Sequence, residues 1–366
     1  MSSLLDAMPA RGSQRRLLWD NDTAALGVAR PTWEDAVALG GIGIPRARDT
    51  SLVADATLYN TPELTAELRA AGAELESESA ASVMLAAYLT WGPSFALRLN
   101  GDFAFALWDD RTRELIVGRD FVGRRSLFIR ELSDGALVAS QAAALARVSP
   151  TPVLNSPFIA AAVAGLLSGS RESAYQGVSP VPAGAVRAWN ASTGWRTVAQ
   201  WEPPVFRSTG AVNLREGGEE LRRLLTDAVV RRCGGSRVAF YLSGGADSPA
   251  VFAVAAAARE RGDLDASLQP VSVSFPVGDS AREDEHITEI ARHWGAQPRW
   301  IESEGMDLFE RQRERAALRD DPYAHTFEQM NRHLGLNAAG AGAGVAIDGH
   351  GVTCFSRSPT PQSPRC

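Results

Sequence analysis

The feature that most constrains this chain is an apolar segment at 238–242 that runs into a Gly-Gly turn and then into an alanine-rich stretch. It predicts a buried strand, a sharp turn and a helix. Two adjacent glycines let the backbone turn with its amides bare, and a helix N-terminus directs further N–H groups and its positive dipole end at an anion. Ser243 and Ser248 add hydroxyl donors, and Pro249 suits the first turn of a helix. The segment is therefore interpreted as a pyrophosphate cradle.

An acidic residue in this turn needs its own explanation, because Asp247 would repel a bare phosphate. It is predicted to hold a magnesium ion that bridges phosphate oxygens. The alternative is a structural turn in which Asp247 or Ser248 only caps the helix. The common nucleotide-binding loop is excluded, since it requires a lysine after its last glycine and this chain contains no lysine at all.

Bulk properties limit the class of protein. A chain of 366 residues with 45% apolar residues is long enough for two domains, and a net charge of -6 argues against nucleic acid as a partner. The three cysteines, Cys233, Cys354 and Cys366, are far apart in sequence and predict neither a disulfide nor a zinc site. No export signal and no apolar run of about twenty residues is apparent, so we expect a cytoplasmic protein without membrane contact.

Two domains are predicted, at 1–205 and 206–351, separated by a Pro- and Gly-containing linker around 202–210. In the first, apolar stretches at 103–108 and 115–117 flank a polar turn and predict a β-hairpin. In the second, helices alternate with strands, which predicts a parallel sheet with ligands at the carboxyl ends of its strands. The predicted helices are 214–232, 248–261 and 282–295, and the predicted strands are 237–242, 270–275 and 345–347.

The end of the chain has a different composition. Residues 352–366 form a tail rich in Ser, Pro and Arg that we expect to be disordered. A domain that ends after a third parallel strand is expected to be incomplete, as if the chain were truncated or frameshifted after Gly351.

Three further stretches suggest a family. Leu99-Asn100-Gly101-Asp102 with the apolar run after it, the segment from Gly118 to Phe128, and Val181-Pro182-Ala183-Gly184 resemble the glutaminase-type domain of the asparagine synthetase family. The Ser243–Ser248 loop resembles that family's synthetase domain. The resemblance implies an α/β protein: an α+β sandwich of the N-terminal-nucleophile-hydrolase type, followed by a parallel-sheet domain of the ATP-pyrophosphatase type.

The resemblance implies an ATP-dependent ligase that activates a carboxylate as an acyl-adenylate, releases pyrophosphate and lets an amine displace AMP. The glutaminase features of the family are absent, however. No cysteine precedes Cys233, Asp55 and Thr57 stand in the segment that would supply oxyanion contacts, and Ala80 replaces the aspartate that would bind the substrate amine. Ser2 is not supported as a substitute nucleophile, so this block is predicted to be a structural or peptide-docking domain.

A lost glutaminase with a retained ATP loop resembles two branches, the lasso-peptide macrolactam cyclases and the β-lactam synthetases. The first is preferred, which implies a precursor peptide as substrate and a leader-peptide protease or recognition protein as partner. Asparagine synthase using ammonia or glutamine stays open, and so does a non-catalytic remnant that binds ATP or peptide.

Residue roles follow from the resemblance. It implies that the main chain at Leu242 and Val273 frames the adenine, that Asp247 binds Mg²⁺, and that Gly349 belongs to a second nucleotide segment beginning at Asp348. The implied phosphate loop consists of Ser243, Gly244, Gly245, Asp247 and Ser248. No catalytic residue is assigned, because Val352-Thr353-Cys354 replaces the family's Gly-Asp-Glu and the family's lysine is absent.

Several other polar residues are given structural roles. The run Glu283-Asp284-Glu285 is interpreted as a solvated helix start. Asp320 and Asp321 lie where the family has substrate-pocket residues, but the turn before Pro322 explains them equally well. Of the histidines, only His350 is a candidate for a place near the phosphates.

Overall fold

The computed structural model describes residues 1–8, 15–30, 44–166, 171–204, 213–235, 237–320 and 327–349. The chain divides into two compact units, Met1–Phe206 with Gln312–Tyr323, and Arg207–Arg311 with Ala324–Cys366. Each unit has its own sheets and its own buried core, as the change of pattern along the sequence implies.

An antiparallel six-stranded sheet forms the centre of the first unit, in the order β11-β10-β6-β5-β4-β3. The predicted hairpin is confirmed by its two middle strands, in which Trp108 lies opposite Leu115. The strands are β3 (Arg46–Ala47), β4 (Thr50–Leu58), β5 (Gly101–Asp109), β6 (Glu114–Arg119), β10 (Ala185–Asn190) and β11 (Gly194–Gln200).

Helices α2 (Thr61–Ala70) and α3 (Ala80–Trp91) and a 3-10 helix (Gly92–Arg98) pack against one face of this sheet. Phe95, Phe105 and Leu107 are almost fully buried there, and burial of this apolar area drives the packing. The stretch Ala80–Arg98 has the length and composition of a membrane span, contrary to the sequence-based expectation, yet most of it is buried in this core.

A three-stranded antiparallel sheet, β7 (Phe128–Glu131), β8 (Ala136–Ala139) and β9 (Val178–Pro180), covers the other face. Ala104 and Val117 of the large sheet share a core with Ile129 and Val181, which makes the sandwich that the resemblance implies. The remaining elements are α1 (Ser2–Asp6), β1 (Arg15–Asp20), β2 (Ala25–Arg30), α4 (Ala142–Ala146), α5 (Ser156–Val163) and α9 (Gln312–Ala317).

A four-stranded parallel sheet forms the second unit, in the order β14-β13-β12-β15. Helices cover both faces, with α7 and α8 on one side and α10 on the other, so the predicted parallel arrangement is confirmed. The elements are α6 (Leu214–Arg232), β12 (Arg237–Tyr241), α7 (Asp247–Glu260), β13 (Ser267–Ser274), α8 (Asp284–His293), β14 (Arg299–Glu302), α10 (Glu328–Gly340) and β15 (Val345–Ile347).

The sheet corrects two expectations. The segment at 345–347 is the fourth parallel strand rather than the third, because β14 was not predicted; its four residues include only Trp300 and Ile301 as apolar positions. Strand β13 begins at Ser267, before the predicted start at Pro270. Pro270 is tolerated inside it because β14 pairs with β13 only from Val271 onward, so no neighbour on that side needs the missing N–H.

Candidate functional site

The strand order places a topological switch point between β12 and β15. The chain continues from β12 to β13 and β14 on one side, whereas β15 returns to the other side of β12. Phe240 lies opposite Ile347 in parallel register, so the loop after β12 and the residues after β15 meet at the same edge of the sheet. Ligands of open parallel sheets bind in the crevice at such a point.

The loop after β12 is closed by its two serines. The backbone N–H of Ser243 donates to Ser248 Oγ at 2.9 Å, and the two hydroxyl oxygens are also 2.9 Å apart. Helix α7 then begins at Asp247, and its N-cap residue, Ala246, forms no side-chain capping hydrogen bond. The positive end of the helix dipole is therefore directed into the loop.

Glycine is required at 244 and 349 by close approach, not by a left-handed backbone. Neither Gly244 nor Gly245 has a positive φ. A Cβ at Gly244 would lie 2.9 Å from Glu283 Cβ, and a Cβ at Gly349 would lie 2.7 Å from the backbone nitrogen of Ser248. Gly349 therefore lets the chain after β15 pack directly on the first turn of α7, and the two segments that the sequence singled out come together.

The prediction that the loop amides are bare is wrong for two of them. The Ser243 amide is taken by Ser248, and the Gly244 N–H donates to Glu283 Oε2 at 2.9 Å. Glu283 is the N-cap residue of α8 and was interpreted as part of a solvated helix start. The order of the elements could have identified Glu283. Helix α8 follows β13 and therefore begins at the same edge of the sheet as the loop.

Residues beside Glu283 fix the start of α8. Asp284 Oδ2 accepts a hydrogen bond from Ser274 Oγ at 2.7 Å and lies 2.6 Å from Arg282 Nη2. Arg282 also donates to the backbone oxygen of Phe275. These contacts hold the start of α8 against the end of β13, and Glu283 extends from this base to the loop.

Of the two positions that the resemblance assigns to adenine, Leu242 directly follows β12 and Val273 lies in the neighbouring strand β13. Leu242 is buried, and its N–H donates to the backbone oxygen of Val271 at 3.1 Å. Val273 is partly exposed and lies opposite Ile301 in the sheet. Their main chains therefore lie at the same edge as the loop.

Magnesium would be held by few protein groups here. Within the described ranges, no cluster of three or more His, Cys, Asp or Glu side chains has the arrangement of a metal centre. A magnesium ion that bridges phosphates needs only one or two carboxylates, since it keeps several waters. Asp247, in the first turn of α7, fits that requirement.

Asp348 follows β15 directly. Burial raises the pKa of Tyr241, and the negative charge of Asp348, which follows the strand paired with β12, adds to this effect. His350, Gly351 and the predicted disordered tail at 352–366 lie outside the described residues, as do Asp321, Pro322 and His325.

Other candidate residues have structural roles. Asp320 accepts hydrogen bonds from the backbone N–H groups of Ala142 and Ala143, at 3.0 and 2.9 Å, within the first unit, so it caps α4. Burial raises the pKa of Cys233 to about 11, which disfavours a reactive thiolate. His333 lies 3.8 Å from Glu310, and His286 and His293 lie on α8.

At the positions where the resemblance would place a glutaminase site, the first unit has an ion pair. Arg125 Nη1 lies 3.2 Å from Asp55 Oδ1, and Arg125 Nη2 donates to Thr57 Oγ1 at 3.3 Å. Buried Asp120 fixes the turn that carries Arg125, accepting from the N–H groups of Arg124 and Arg125 at 2.9 and 3.1 Å. An ionised carboxylate only accepts hydrogen bonds, so Asp55 has no donor for an oxyanion.

The remaining positions of that site also lack the necessary groups. Ala80 is the first residue of α3, is 4% exposed and carries no carboxylate for an amine. Tyr59 donates to Asp102 at 2.9 Å, and the Asn60 side chain accepts from the Asn100 N–H at 2.9 Å. Ser2 begins helix α1.

Comparison with known proteins gives matches to both units. The family model of the glutamine amidotransferase domain matches residues 1–201, and that of asparagine synthase matches residues 220–352. Glutamine-hydrolyzing asparagine synthetase 3 of Bacillus subtilis is 29% identical over 300 residues, which cover 76% of this chain and 46% of that protein. Glutamine-hydrolyzing asparagine synthetase 1 of the same organism is 31% identical over 90 residues, covering 25% and 14%.

These alignments span less than half the length of either relative. Among solved structures, glutamine phosphoribosylpyrophosphate amidotransferase from B. subtilis has a TM-score of 0.33 and 15% identity, covering 80% of this chain and 56% of that chain. A likeness of this degree supports no argument about the site.

Proposed function

Because the chain belongs to the asparagine synthetase family, we propose that it is an ATP-dependent, AMP-forming amide ligase. The observation that best supports this is the loop 243–248 at the switch point, with the start of α7 behind it and Gly349 packed against it. A helix N-terminus next to a glycine loop is suited to a pyrophosphate group.

Each residue of the loop has a role in this proposal. The amides at the start of α7 and the hydroxyls of Ser243 and Ser248 bind the phosphate oxygens, and the main chain at Leu242 and Val273 contacts the adenine. Asp247 would hold Mg²⁺, which would supply positive charge to the phosphates. A substrate carboxylate oxygen attacks the α-phosphorus and pyrophosphate leaves; an amine nitrogen then attacks the acyl carbon, loses a proton and displaces AMP.

The amine is proposed to belong to the substrate and not to come from glutamine. The first unit has the Asp55–Arg125 pair and buried Ala80 where donors and a carboxylate would be needed. This favours the macrolactam, or isopeptide, cyclase of a lasso-peptide precursor, in which a side-chain carboxylate is joined to the N-terminal amine of the same peptide. A leader-peptide protease or recognition protein is then a proposed partner, in the cytoplasm where ATP is available.

Two alternatives have support of their own. The names of the relatives favour an asparagine synthase that uses glutamine, and such an enzyme without a working glutaminase would use ammonia. The position of Glu283 on the Gly244 amide favours a protein that binds ATP or peptide without turnover, since a carboxylate there opposes the placement of a reacting phosphate.

The test is pyrophosphate release by the full chain with MgATP and a candidate precursor peptide. We expect release that depends on the peptide carboxylate and falls at least roughly tenfold in Asp247→Ala, since a metal-binding carboxylate contributes to transition-state charge stabilisation. Asp263→Ala, an exposed residue after α7 that pairs with Arg261, is the control. Full activity of Asp247→Ala would remove its assigned role, and ATP binding without any AMP formation would favour the non-catalytic alternative.

A further inference from the structure

Glu283 occupies an anion position in the loop. Its Oε2 accepts the Gly244 N–H at 2.9 Å, which is the interaction that a phosphate oxygen would make with that amide. The Glu283 side chain also packs closely against Gly244: a Cβ added at Gly244 would lie 2.9 Å from both Cβ and Cδ of Glu283. A phosphate oxygen and this carboxylate therefore cannot both occupy the space next to the Gly244 amide.

The charge of Glu283 is not neutralised by a neighbouring cation. Arg282 is the adjacent basic residue, and its guanidinium is engaged by Asp284 and by the Phe275 backbone oxygen. Across the ranges that the structure describes, no Arg or His side chain forms an ion pair with Glu283. The loop amide is thus its hydrogen-bond partner, and a second anion brought to this position would meet the carboxylate.

Movement of Glu283 does not require movement of α8. The contacts of Asp284 with Ser274 and Arg282 hold the helix start, whereas the glutamate side chain reaches the loop through rotatable bonds. The carboxylate can leave the Gly244 amide while the backbone at 283 stays in place.

We infer that Glu283 is a competitor built into the phosphate loop, which the polyphosphate of the ligand must displace, and that it thereby determines the affinity of the loop for polyphosphate. The inference rests on the proposed function, since it assigns this role at the same loop. Magnesium bound to the polyphosphate reduces the repulsion, so the effect of Glu283 is largest for metal-free ligand.

The experiment is calorimetric titration of the full chain with pyrophosphate and with ATP, in excess chelator and in excess Mg²⁺. Glu283→Ala is expected to bind metal-free pyrophosphate roughly tenfold more tightly than the unaltered chain, because a charged competitor is removed. Glu283→Gln keeps the size and an oxygen acceptor and should give a smaller gain. The control Glu285→Gln changes an exposed glutamate on the same helix and should have no effect.

The outcomes separate the two claims. If the unaltered chain binds and Glu283→Ala binds equally or more weakly, the competitor role is wrong while the phosphate loop stands. A loss confined to Mg²⁺ conditions in Glu283→Gln would make Glu283 a metal ligand and would also contradict the inference. If no variant binds pyrophosphate or ATP although circular dichroism shows folded protein, the proposed function itself fails.

Discussion

At the scale of single residues, Asp109 is the clearest buried charge of the first unit. It is fully buried at the end of β5 and accepts hydrogen bonds from Tyr88 Oη at 2.9 Å and from Arg111 Nε at 3.0 Å. Burial alone would raise the pKa of Asp109, yet the hydrogen bonds from Arg111 and Tyr88 hold that pKa below its ordinary value. Burial raises the pKa of Tyr88 most, and the hydrogen bond to Asp109 raises it further. The tyrosine therefore remains a hydrogen-bond donor at neutral pH.

Asp109→Asn is expected to lower the free energy of unfolding by about 2 kcal/mol at pH 7, the size of a hydrogen bond to a charged group. A carboxyl whose pKa is lowered on folding stabilises the folded state above its unfolded pKa of about 4, and loses this contribution as the pH falls through its folded pKa. The difference in the free energy of unfolding between the unaltered chain and Asp109→Asn should therefore have its full size at pH 7 and at pH 5 and shrink below about pH 4.

Urea unfolding at several pH values measures this difference. The control is Asp134→Asn, which removes an exposed carboxylate in the turn between β7 and β8 and should change little. A difference that is the same at every pH would show that the substitution acts through packing and not through the charge of Asp109.

Glu283 shows what the sequence could not predict at this scale. The phosphate-loop residues were identified from a local pattern, because a strand, a Gly-Gly turn and a helix follow one another in the chain. The carboxylate of Glu283 is 39 residues away from Gly244 and reaches it only because α8 starts at the same sheet edge. Local charge patterning predicts a favourable helix start for Glu283 and contains no information about this contact.

At the scale of elements, the site depends on the contact between the end of β15 and the start of α7. Parallel pairing of β15 with β12 directs Gly349 to the first turn of α7, where a Cβ would lie 2.7 Å from the Ser248 nitrogen and 3.0 Å from the Asp247 carbonyl carbon. Backbone atoms cannot rotate away, so any side chain at 349 must displace one of the two segments.

Gly349→Ala is therefore expected to weaken ATP binding at least about tenfold through displacement of the loop, with a loss of stability of about 1–3 kcal/mol. Gly335→Ala is the matched control: this helical glycine would place its Cβ 3.8 Å from Tyr241 Oη, an ordinary contact. Alanine there should leave binding unchanged and stabilise α10 by up to about 1 kcal/mol. Equal effects of the two substitutions in calorimetry and urea unfolding would contradict the close-packing argument.

Elements with a helical period or an unbroken apolar run were predictable. Helix α6 and strand β15 have the predicted bounds, the first from its apolar spacing and the second from its three consecutive apolar residues. Strand β14 was missed because only two of its four residues are apolar, between Arg299 and Glu302. The position of Pro270 inside β13 depends on where β14 joins, which is a tertiary property.

At the scale of the whole molecule, the two units have different sheet types and separate cores, and the division near residue 206 corresponds to the Pro-rich segment in the sequence. The assignment of Gln312–Tyr323 to the first unit was not predictable. Helix α9 has no buried residue, and the cap that Asp320 provides for α4 joins positions about 177 residues apart in the chain. A contact between residues so far apart leaves no pattern in the local sequence.

The groups present in the first unit lead to a prediction about the source of the amine that forms the amide. Glutamine hydrolysis in the first unit would need an oxyanion donor and an anchor for the substrate amine, and the described residues place the Asp55–Arg125 pair and buried Ala80 there. The full chain should therefore release no ammonia from glutamine above the buffer rate. Asp55→Asn should also fail to release it, since the amide supplies a donor but no nucleophile or amine anchor.

The second unit should respond to added amines in a corresponding way. If the amine belongs to the peptide, peptide-dependent pyrophosphate release in MgATP should be unchanged by added glutamine or ammonium. Mass spectrometry of the peptide should then show the loss of one water with no nitrogen gained. Stimulation by ammonium with aspartate as the carboxylate would instead establish asparagine synthesis, and stimulation by glutamine would show that the ion pair at Asp55 does not prevent hydrolysis.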